Sequence, residues 1–314
     1  MSVKRVLVLG AGGFIGKSLV TGLKDRFKIR AFDINVVEEF VGLNNVESIR
    51  GDFLNLTNYE DLLDGIDTVV HLISTTLPND TTNNIPYEIN QNLIPTVRLL
   101  EGMLKSDVKE ILFASSAGTI YGETGEIMNN VNSPLNPRCG YGVQKCVIES
   151  YLKFYNLRYG INHKILRISN PYGGNQDAKR IQGLVPIFIR KNLLGEEIVI
   201  YGDGSNFRDF LYIDDLVNAF YKTIMYVGDE HVFNIGYGHY YSINEVIASI
   251  ENRTNKKFKS IRFMPNRFCD VKKSLVDFTS SQFELDWFPK ISFEDGLNIT
   301  INMLKDDYGD RRKK

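Results

Sequence analysis

Tyr141 and Lys145 stand four residues apart, so on a helix a phenol and an ammonium share one face, one turn from each other. A tyrosine with its ordinary pKa of ~10 is a poor base. A nearby cation stabilises the phenolate, and an oxidised nicotinamide ring would add a second positive charge. That arrangement can take a proton from a hydroxyl while hydride leaves the same carbon. A second group of residues points to the same chemistry. Gly10, Gly13 and Gly16 follow the apolar run Val6, Leu7, Val8 and Leu9, and Phe14 and Ile15 open a helix among them. Strand, glycine turn and helix N-terminus present free N–H groups to a dinucleotide pyrophosphate, and glycine lets the backbone approach it. Asp33 lies twenty residues beyond Gly13, where a carboxylate bonds the ribose hydroxyls and repels a 2′-phosphate. Ile34 and Asn35 supply no cation to offset it, so the expected cofactor is NAD rather than NADP.

These residues need a scaffold, and the hydrophobic pattern supplies one. The run at 6–9 reads as a strand buried on both faces. Helix is expected at 14–26 and strand at 28–32, ending at Asp33. A third strand at 46–50 leads into Gly51, Asp52 and Phe53, and Asp52 could bond an adenine amino group. A short helix at 57–63 precedes a buried strand at 67–73, which holds Leu72; a long amphipathic helix at 87–104 carries Asn92. A fifth strand at 110–114 runs into Ser115 and Ser116, and a sixth covers 161–168. Between them, the helix at 141–159 puts Tyr141, Lys145 and Glu149 on one face and Val147, Ile148, Tyr151 and Leu152 on another. Strands alternating with helices predict an α/β fold, a Rossmann-type doubly wound parallel sheet. Residues 170–174 break that pattern. Beyond them, helices are expected at 183–194, 213–226 and 242–251, a short strand at 198–201, closing segments at 283–287 and 293–304, and a frayed basic tail at 311–314. The dinucleotide-binding domain is expected over 1–170 plus 208–236, interleaved with a smaller α/β substrate domain over 171–207 and 237–314.

The totals exclude several classes. The chain has 314 residues, 43% apolar and 24% charged, with a net charge of −1. That gives no bulk attraction to nucleic acid or to an anionic membrane. No apolar run approaches a membrane span, and the N-terminus enters a core strand directly. Cys139, Cys146 and Cys269 form neither a metal-ligand spacing nor a disulfide framework, and the histidines are scattered. A reduced, cytoplasmic setting without a metal is expected.

Taken together, Gly10-x-x-Gly13-x-x-Gly16, Asp33, Ser115-Ser116 before Tyr121-Gly122, Tyr141-x-x-x-Lys145 and Asn170-Pro171-x-Gly173 resemble the extended short-chain dehydrogenase/reductase superfamily. The similarity spans essentially the whole chain. Within the superfamily, the pattern resembles the UDP-glucose (UDP-galactose) 4-epimerases and their N-acetylhexosamine relatives. The resemblance implies Tyr141 as catalytic base and Lys145 on the nicotinamide ribose. It implies a cofactor face of Gly10, Gly13, Phe14, Ile15, Gly16, Asp33, Asp52, Phe53, Leu72 and Asn92. A Ser or Thr before the Tyr-Gly pair bonds the sugar hydroxyl in this family, but its position is Ala117 here. Ser116 or Thr119 must take that role, Ser116 being favoured. Gly118 and Thr119 stand where the 4,6-dehydratases carry an Asp-Glu pair, and they offer no acid or base for water elimination.

The resemblance also implies the substrate side. Arg208 and Arg267 clamp the diphosphate by paired hydrogen bonds. Asp270 takes the uridine ribose, Asn170 the diphosphate or sugar, and Leu184, Val185 and Tyr201 line the uracil. Seven residues after Arg267, Ser274 falls at the position that admits N-acetylated sugars when small. A homodimer through a four-helix bundle, built from the helices at 87–104 and 141–159, is implied as well. The expected activity is an NAD-dependent UDP-hexose 4-epimerase. A uronate epimerase, a nucleotide-sugar reductase and a non-catalytic NAD-sensing protein stand as alternatives.

Overall fold

In the computed structural model, which describes residues 3–76, 84–123, 128–174, 176 and 183–309, the apolar run becomes β1 (Arg5–Leu9). Strand alternation sends Val6 and Val8 into one core layer and Leu7 and Leu9 into the other. Both faces are covered, as a parallel sheet requires. The first half continues as α1 (Phe14–Leu23), β2 (Lys28–Asp33), β3 (Val46–Arg50), α2 (Glu60–Leu63) and β4 (Thr68–His71). Then come α3 (Ile85–Glu88), a π turn (Ile89–Leu93), α4 (Ile94–Leu104), β5 (Glu110–Ser116), α5 (Ala117–Ile120), α6 (Gly140–Tyr159) and β6 (Asn162–Ile168). The second half has β7 (Asn170–Tyr172), α7 (Leu184–Leu194), β8 (Ile198–Tyr201), β9 (Phe207–Tyr212), α8 (Ile213–Met225) and β10 (Val232–Ile235). It closes with β11 (Tyr240–Ser242), α9 (Ile243–Thr254), β12 (Ile261–Met264), β13 (Lys273–Ser274), α10 (Thr279–Leu285) and α11 (Phe293–Gly309).

Among the described residues the main sheet has seven strands in the order β10-β6-β5-β4-β1-β2-β3, and every pairing is parallel. The chain reverses direction across the sheet between β1 and β4, which opens a crevice at their carboxyl ends. This is the Rossmann-type doubly wound fold. A second sheet has the order β11-β9-β13, with β7 also on β9, and β12 pairs with β8. Strand β9 thus belongs to the small sheet, whereas α8 packs on α1 and β10 joins the main sheet.

Several expectations are adjusted. Residues 170–172 are a strand, because β9 offers them a parallel partner. The helix expected at 87–104 starts at Ile85 and contains the π turn at Ile89–Leu93. Pro95 follows that turn, and because proline has no N–H to donate, the ladder must be interrupted near it. On α6 the buried residues are Gly142, Gln144, Lys145, Ile148, Glu149, Leu152 and Tyr155, while Tyr151 is 39% exposed. Lys145 and Glu149 are therefore buried with Ile148 and Leu152, and Tyr151 is not. The tail at 311–314 lies outside the described residues. No helix among them is long and apolar enough to cross a membrane.

Candidate active site

The glycine turn is held tightly to β2. The N–H groups of Gly10 and Ala11 donate to the Phe32 carbonyl at 2.9 and 3.1 Å, and Gly13 N–H donates to the Gly10 carbonyl at 3.1 Å. Gly10 has φ +86°, a conformation glycine adopts freely. Gly13 caps α1 without a side-chain bond, so the first N–H groups of the helix remain available to an anion. A Cβ on Gly16 would lie 2.1 Å from the Gly10 carbonyl oxygen; the helix can sit this close to the turn only without a side chain. Asp33, at the tip of β2, accepts from Gly12 N–H at 2.9 Å and from Asn35 N–H at 3.1 Å. The cradle fits a dinucleotide diphosphate, with a carboxylate beside it for a ribose.

This turn forms one end of a cleft of about 780 Å³. Gly10, Gly13, Phe14, Ile15, Gly16 and Leu72 line the cofactor end. Ser116, Thr119, Tyr141 and Lys145 line the middle, and Asn170, Leu184, Val185, Tyr201, Arg208, Arg267 and Asp270 the far end. Five expected residues lie outside this lining. Asp33 has been placed at the edge of the turn. Asp52 engages both carboxylate oxygens in its own turn, with Leu54 N–H at 3.0 Å and Asn55 Nδ2 at 2.7 Å. Phe53 is buried, its ring 5.4 Å from that of His71. Asn92 uses its amide on the 75–76 loop, accepting from Thr75 N–H at 2.9 Å and donating to Thr76 Oγ1 at 3.3 Å. Ser274 is buried in β13. A Cβ placed on Gly118 would have Ser274 Oγ and Asn170 Oδ1 each at 3.8 Å, ordinary contact distance, so these three residues are near neighbours.

The reactive pair sits where β5 ends and α6 begins. Lys145 is buried, and its Nζ donates to the Ala114 carbonyl at 2.8 Å. The same Nζ lies 4.5 Å from the centroid of the Phe113 ring and 5.4 Å from that of Tyr141. Tyr141 is half-buried in the cleft wall. Burial pushes its phenol up to about 12, and a hydrogen bond with Ser116 pulls it the other way. Burial brings the Lys145 ammonium down to about 8, opposed by the charge of Glu149. Thr119 Oγ1 donates to the Ser116 carbonyl at 3.4 Å. Ala117 turns away into a small core with Ile120, Tyr121 and Val276. Ser116 is thus the hydroxyl that the structure brings to Tyr141.

The far end carries the guanidinium groups. Arg208 Nη1 donates to the Val271 carbonyl at 2.8 Å, and Nη2 lies 3.7 Å from Asp270. The Arg267 guanidinium stacks 3.4 Å from the centroid of the Tyr201 ring. Asn170 Nδ2 donates to the Asp209 carbonyl at 2.9 Å. Residues not anticipated also line the cleft: Gly12, Ser74, Thr76, Gln176, Lys191, Asn206 and Cys269. Gly12 was visible inside the glycine run. The others, apart from helical Lys191, lie on loops, where no period marks a side chain's direction. Among the described residues, no group of three His, Cys, Asp or Glu side chains is placed to hold a metal ion.

Comparison with known proteins gives a consistent result. The family model described as the NAD dependent epimerase/dehydratase family matches residues 6–236. A dTDP-4-dehydro-6-deoxyglucose reductase of Escherichia coli is 31% identical, over 96% of this chain and 97% of its own length. A UDP-glucose 4-epimerase of Thermotoga maritima, solved with UDP-glucose, superposes with a TM-score of 0.88 at 31% identity, covering 99% of this chain and 100% of that one. A UDP-N-acetylglucosamine 4-epimerase of Methanobrevibacter ruminantium, solved with UDP-N-acetylmuramic acid, gives a TM-score of 0.89 at 27% identity, covering 98% and 100%.

Proposed function

Because the chain belongs to the NAD dependent epimerase/dehydratase family, we propose that it is an NAD-dependent 4-epimerase of UDP-hexoses that accepts the N-acetylated pair. The observation that carries this reading is the placement of Tyr141, Lys145 and Ser116 midway along one cleft, between the glycine cradle and two guanidinium groups. Gly10, Gly13, Gly16 and Asp33 would hold NAD, which would supply a reversible hydride acceptor for C4 and a positive charge that favours the Tyr141 phenolate. Tyr141 accepts the C4 hydroxyl proton and later returns it. Ser116 bonds the same hydroxyl and orients it. Lys145 keeps a positive charge beside the phenol. Arg208 and Arg267 retain the diphosphate while the 4-keto sugar turns to present its other face. Hydride is returned in each cycle, so there is no net oxidation.

Asp33 favours NAD, since a carboxylate at the end of β2 bonds ribose hydroxyls and repels a 2′-phosphate. Asp33→Ala is expected to weaken NAD binding and to reduce the preference over NADP, measured by titrating both into the purified protein. Equal wild-type affinity for the two would remove Asp33 from cofactor choice. On the outer side of α6 and α3–α4, Val143, Phe154, Leu157, Ile85 and Tyr87 are exposed, Leu157 to 77%. Their apolar surface supports a homodimer through these helices. The three cysteines are free thiols, as a reducing, cytoplasmic setting would leave them.

The small side chain of Ser274, close to the cleft-lining residues Gly118 and Asn170, supports the N-acetyl specificity. An acetamide on C2 needs room, and overpacking a rigid pocket costs ~1–3 kcal/mol. Ser274→Tyr is expected to suppress turnover of UDP-GlcNAc while sparing UDP-glucose. The deciding experiment incubates the protein with UDP-glucose, UDP-galactose, UDP-GlcNAc, UDP-GalNAc and UDP-glucuronic acid and reads product stereochemistry at C4. Inversion of the hexoses supports the proposal. Inversion of the uronate alone, or net consumption of reduced nicotinamide, overturns it.

A further inference from the structure

Glu149 lies one helical turn beyond Lys145 on α6 and is almost completely buried. Its Oε1 accepts a short hydrogen bond from Ser115 Oγ, and its Oε2 accepts from Arg167 Nη2 at 2.7 Å. Arg167 stands opposite Ser115 in the β5–β6 register. Ser115 is flanked by the two residues on which the reactive pair depends: Ala114, whose carbonyl receives Lys145, and Ser116, which bonds Tyr141. The carboxylate therefore grips the strand end midway between the two contacts.

Arg167 is anchored on its far side as well. Its Nη1 donates to the Tyr121 hydroxyl at 3.0 Å and to the Val131 carbonyl at 2.8 Å. Tyr121 donates to Asn234 Oδ1 at 2.7 Å, and Asn234 Nδ2 donates to the Asn129 carbonyl at 3.0 Å. Asn129 N–H in turn donates to the carbonyl of Leu275, next to Ser274. A buried ion pair is weak evidence for stability, since apolar residues of like volume often serve as well. This one, however, joins the strand end under the reactive pair to the strand that borders the sugar.

We propose that Glu149 is a positioning residue, which pins Ser115 and so holds the Ala114 carbonyl and the Ser116 hydroxyl where Lys145 and Tyr141 require them. This rests on the assignment of Tyr141 as proton acceptor and Lys145 as its cation. The charged and titratable groups facing Lys145 and Glu149 are His71 on β4, Tyr141 and Cys146 on α6, Arg167 on β6, and Tyr121, with Cys139 beside Tyr141. The charge of Glu149 raises the Lys145 pKa. Removing it lowers that pKa, so the protonated lysine, and activity with it, is lost at lower pH.

The test compares Glu149→Gln, Ser115→Ala and Tyr141→Phe with wild type, measuring kcat and KM for UDP-galactose across pH, with thermal melting as a check on folding. Glu149→Gln is expected to lower kcat about 100-fold, to leave KM nearly unchanged, and to move the basic limb of the kcat profile to lower pH. Ser115→Ala keeps the ion pair and is expected to lower kcat at unchanged KM with the limb in place. If Glu149→Gln does not fold, Ser115→Ala decides: a kcat loss at unchanged KM supports the proposal, and a wild-type kcat overturns it. Wild-type kcat and an unmoved limb in Glu149→Gln also overturn it, as does a loss shared between kcat and KM without a limb shift. If Tyr141→Phe is inactive while the other two variants behave as wild type, only the positioning role fails. If Tyr141→Phe itself turns over near the wild-type rate, the assignment of the base fails and the positioning role with it.

Discussion

Tyr141→Phe is expected to lower kcat by about 10²–10⁴-fold, the range general-base catalysis contributes, while UDP-sugar and NAD still bind. Phenylalanine keeps the ring and its packing and removes only the hydroxyl. Arg208 and Arg267, at the far end of the cleft, are untouched by the change, and with them the proposed diphosphate clamp, so the loss should appear in kcat rather than in affinity. The electrostatics explain why so much depends on one oxygen. Burial takes Tyr141 up to about 12 and Lys145 down to about 8. As pH rises, the ammonium is lost before the phenol ionises, which is the wrong order for a phenolate held by a cation. Positive charge brought into the cofactor end pulls the phenol pKa down, and a phenolate once formed in turn favours the ammonium beside it. Steady-state kinetics with calorimetric binding of UDP checks the expectation. Turnover near the wild-type rate would remove Tyr141 from the chemistry.

Gly16→Ala should be the most damaging single methyl group in the molecule's cofactor end. The added Cβ would meet the Gly10 carbonyl oxygen at 2.1 Å and the Ala11 Cα at 2.7 Å. Both are backbone atoms, and both residues are tied to the Phe32 carbonyl, so the strain falls on the seat of α1. An overpacking cost of about 3 kcal/mol corresponds to roughly a hundredfold in affinity if it is borne by the dinucleotide site. NAD binding by calorimetry, with thermal melting alongside, reads the result. Gly12→Ala is the milder comparison, since its Cβ would meet only the movable carboxylate of Asp33, at 2.9 Å from Cγ. Wild-type NAD affinity in Gly16→Ala would show that close packing of helix and turn is not what shapes the cradle.

The cofactor half was legible because its signals are local. A continuous apolar strand, glycines at fixed steps and a tyrosine one turn from a lysine each impose a backbone geometry by themselves. The second half was harder to read. Strand β9 has Arg208 and Asp209 in its middle, and β10 has Asn234, so neither presents an uninterrupted apolar run. Their polar side chains are accommodated by partners distant in sequence: Asp209 accepts from the N–H groups of Tyr237 and Gly238, and Asn234 spans Tyr121, Asn129 and Asp277. The division of α6 into two faces was incomplete for a related reason. Lys145 and Glu149 are buried alongside Ile148 and Leu152, and the Ala114 carbonyl, the Ser115 hydroxyl and the Arg167 guanidinium make the burial of the two charges possible. The position of Ser116 against Tyr141, and the inward turn of Ala117, depend on where β5 gives way to α5, which spacing alone does not settle.

The pairing of β10 with β6 bears on how the chain folds as it is made. Six of the seven strands of the main sheet and the whole glycine cradle have emerged once Ile168 is synthesised, yet β6 is then still an edge. Its outer N–H and C=O groups, between the apolar side chains of Ile165, Leu166 and Ile168, are the kind of open template that pairs with other chains. The strand that covers it, Val232–Ile235, arrives only after α7, β8, β9 and α8 have been made. A nascent chain must therefore carry a sticky border through the synthesis of much of its substrate half, and a fragment cut before 232 would carry it permanently. The family match ends at residue 236, one position beyond the strand that covers β6. The smallest unit that holds all seven strands of the main sheet thus contains, of necessity, α7, β8, β9 and α8 as well.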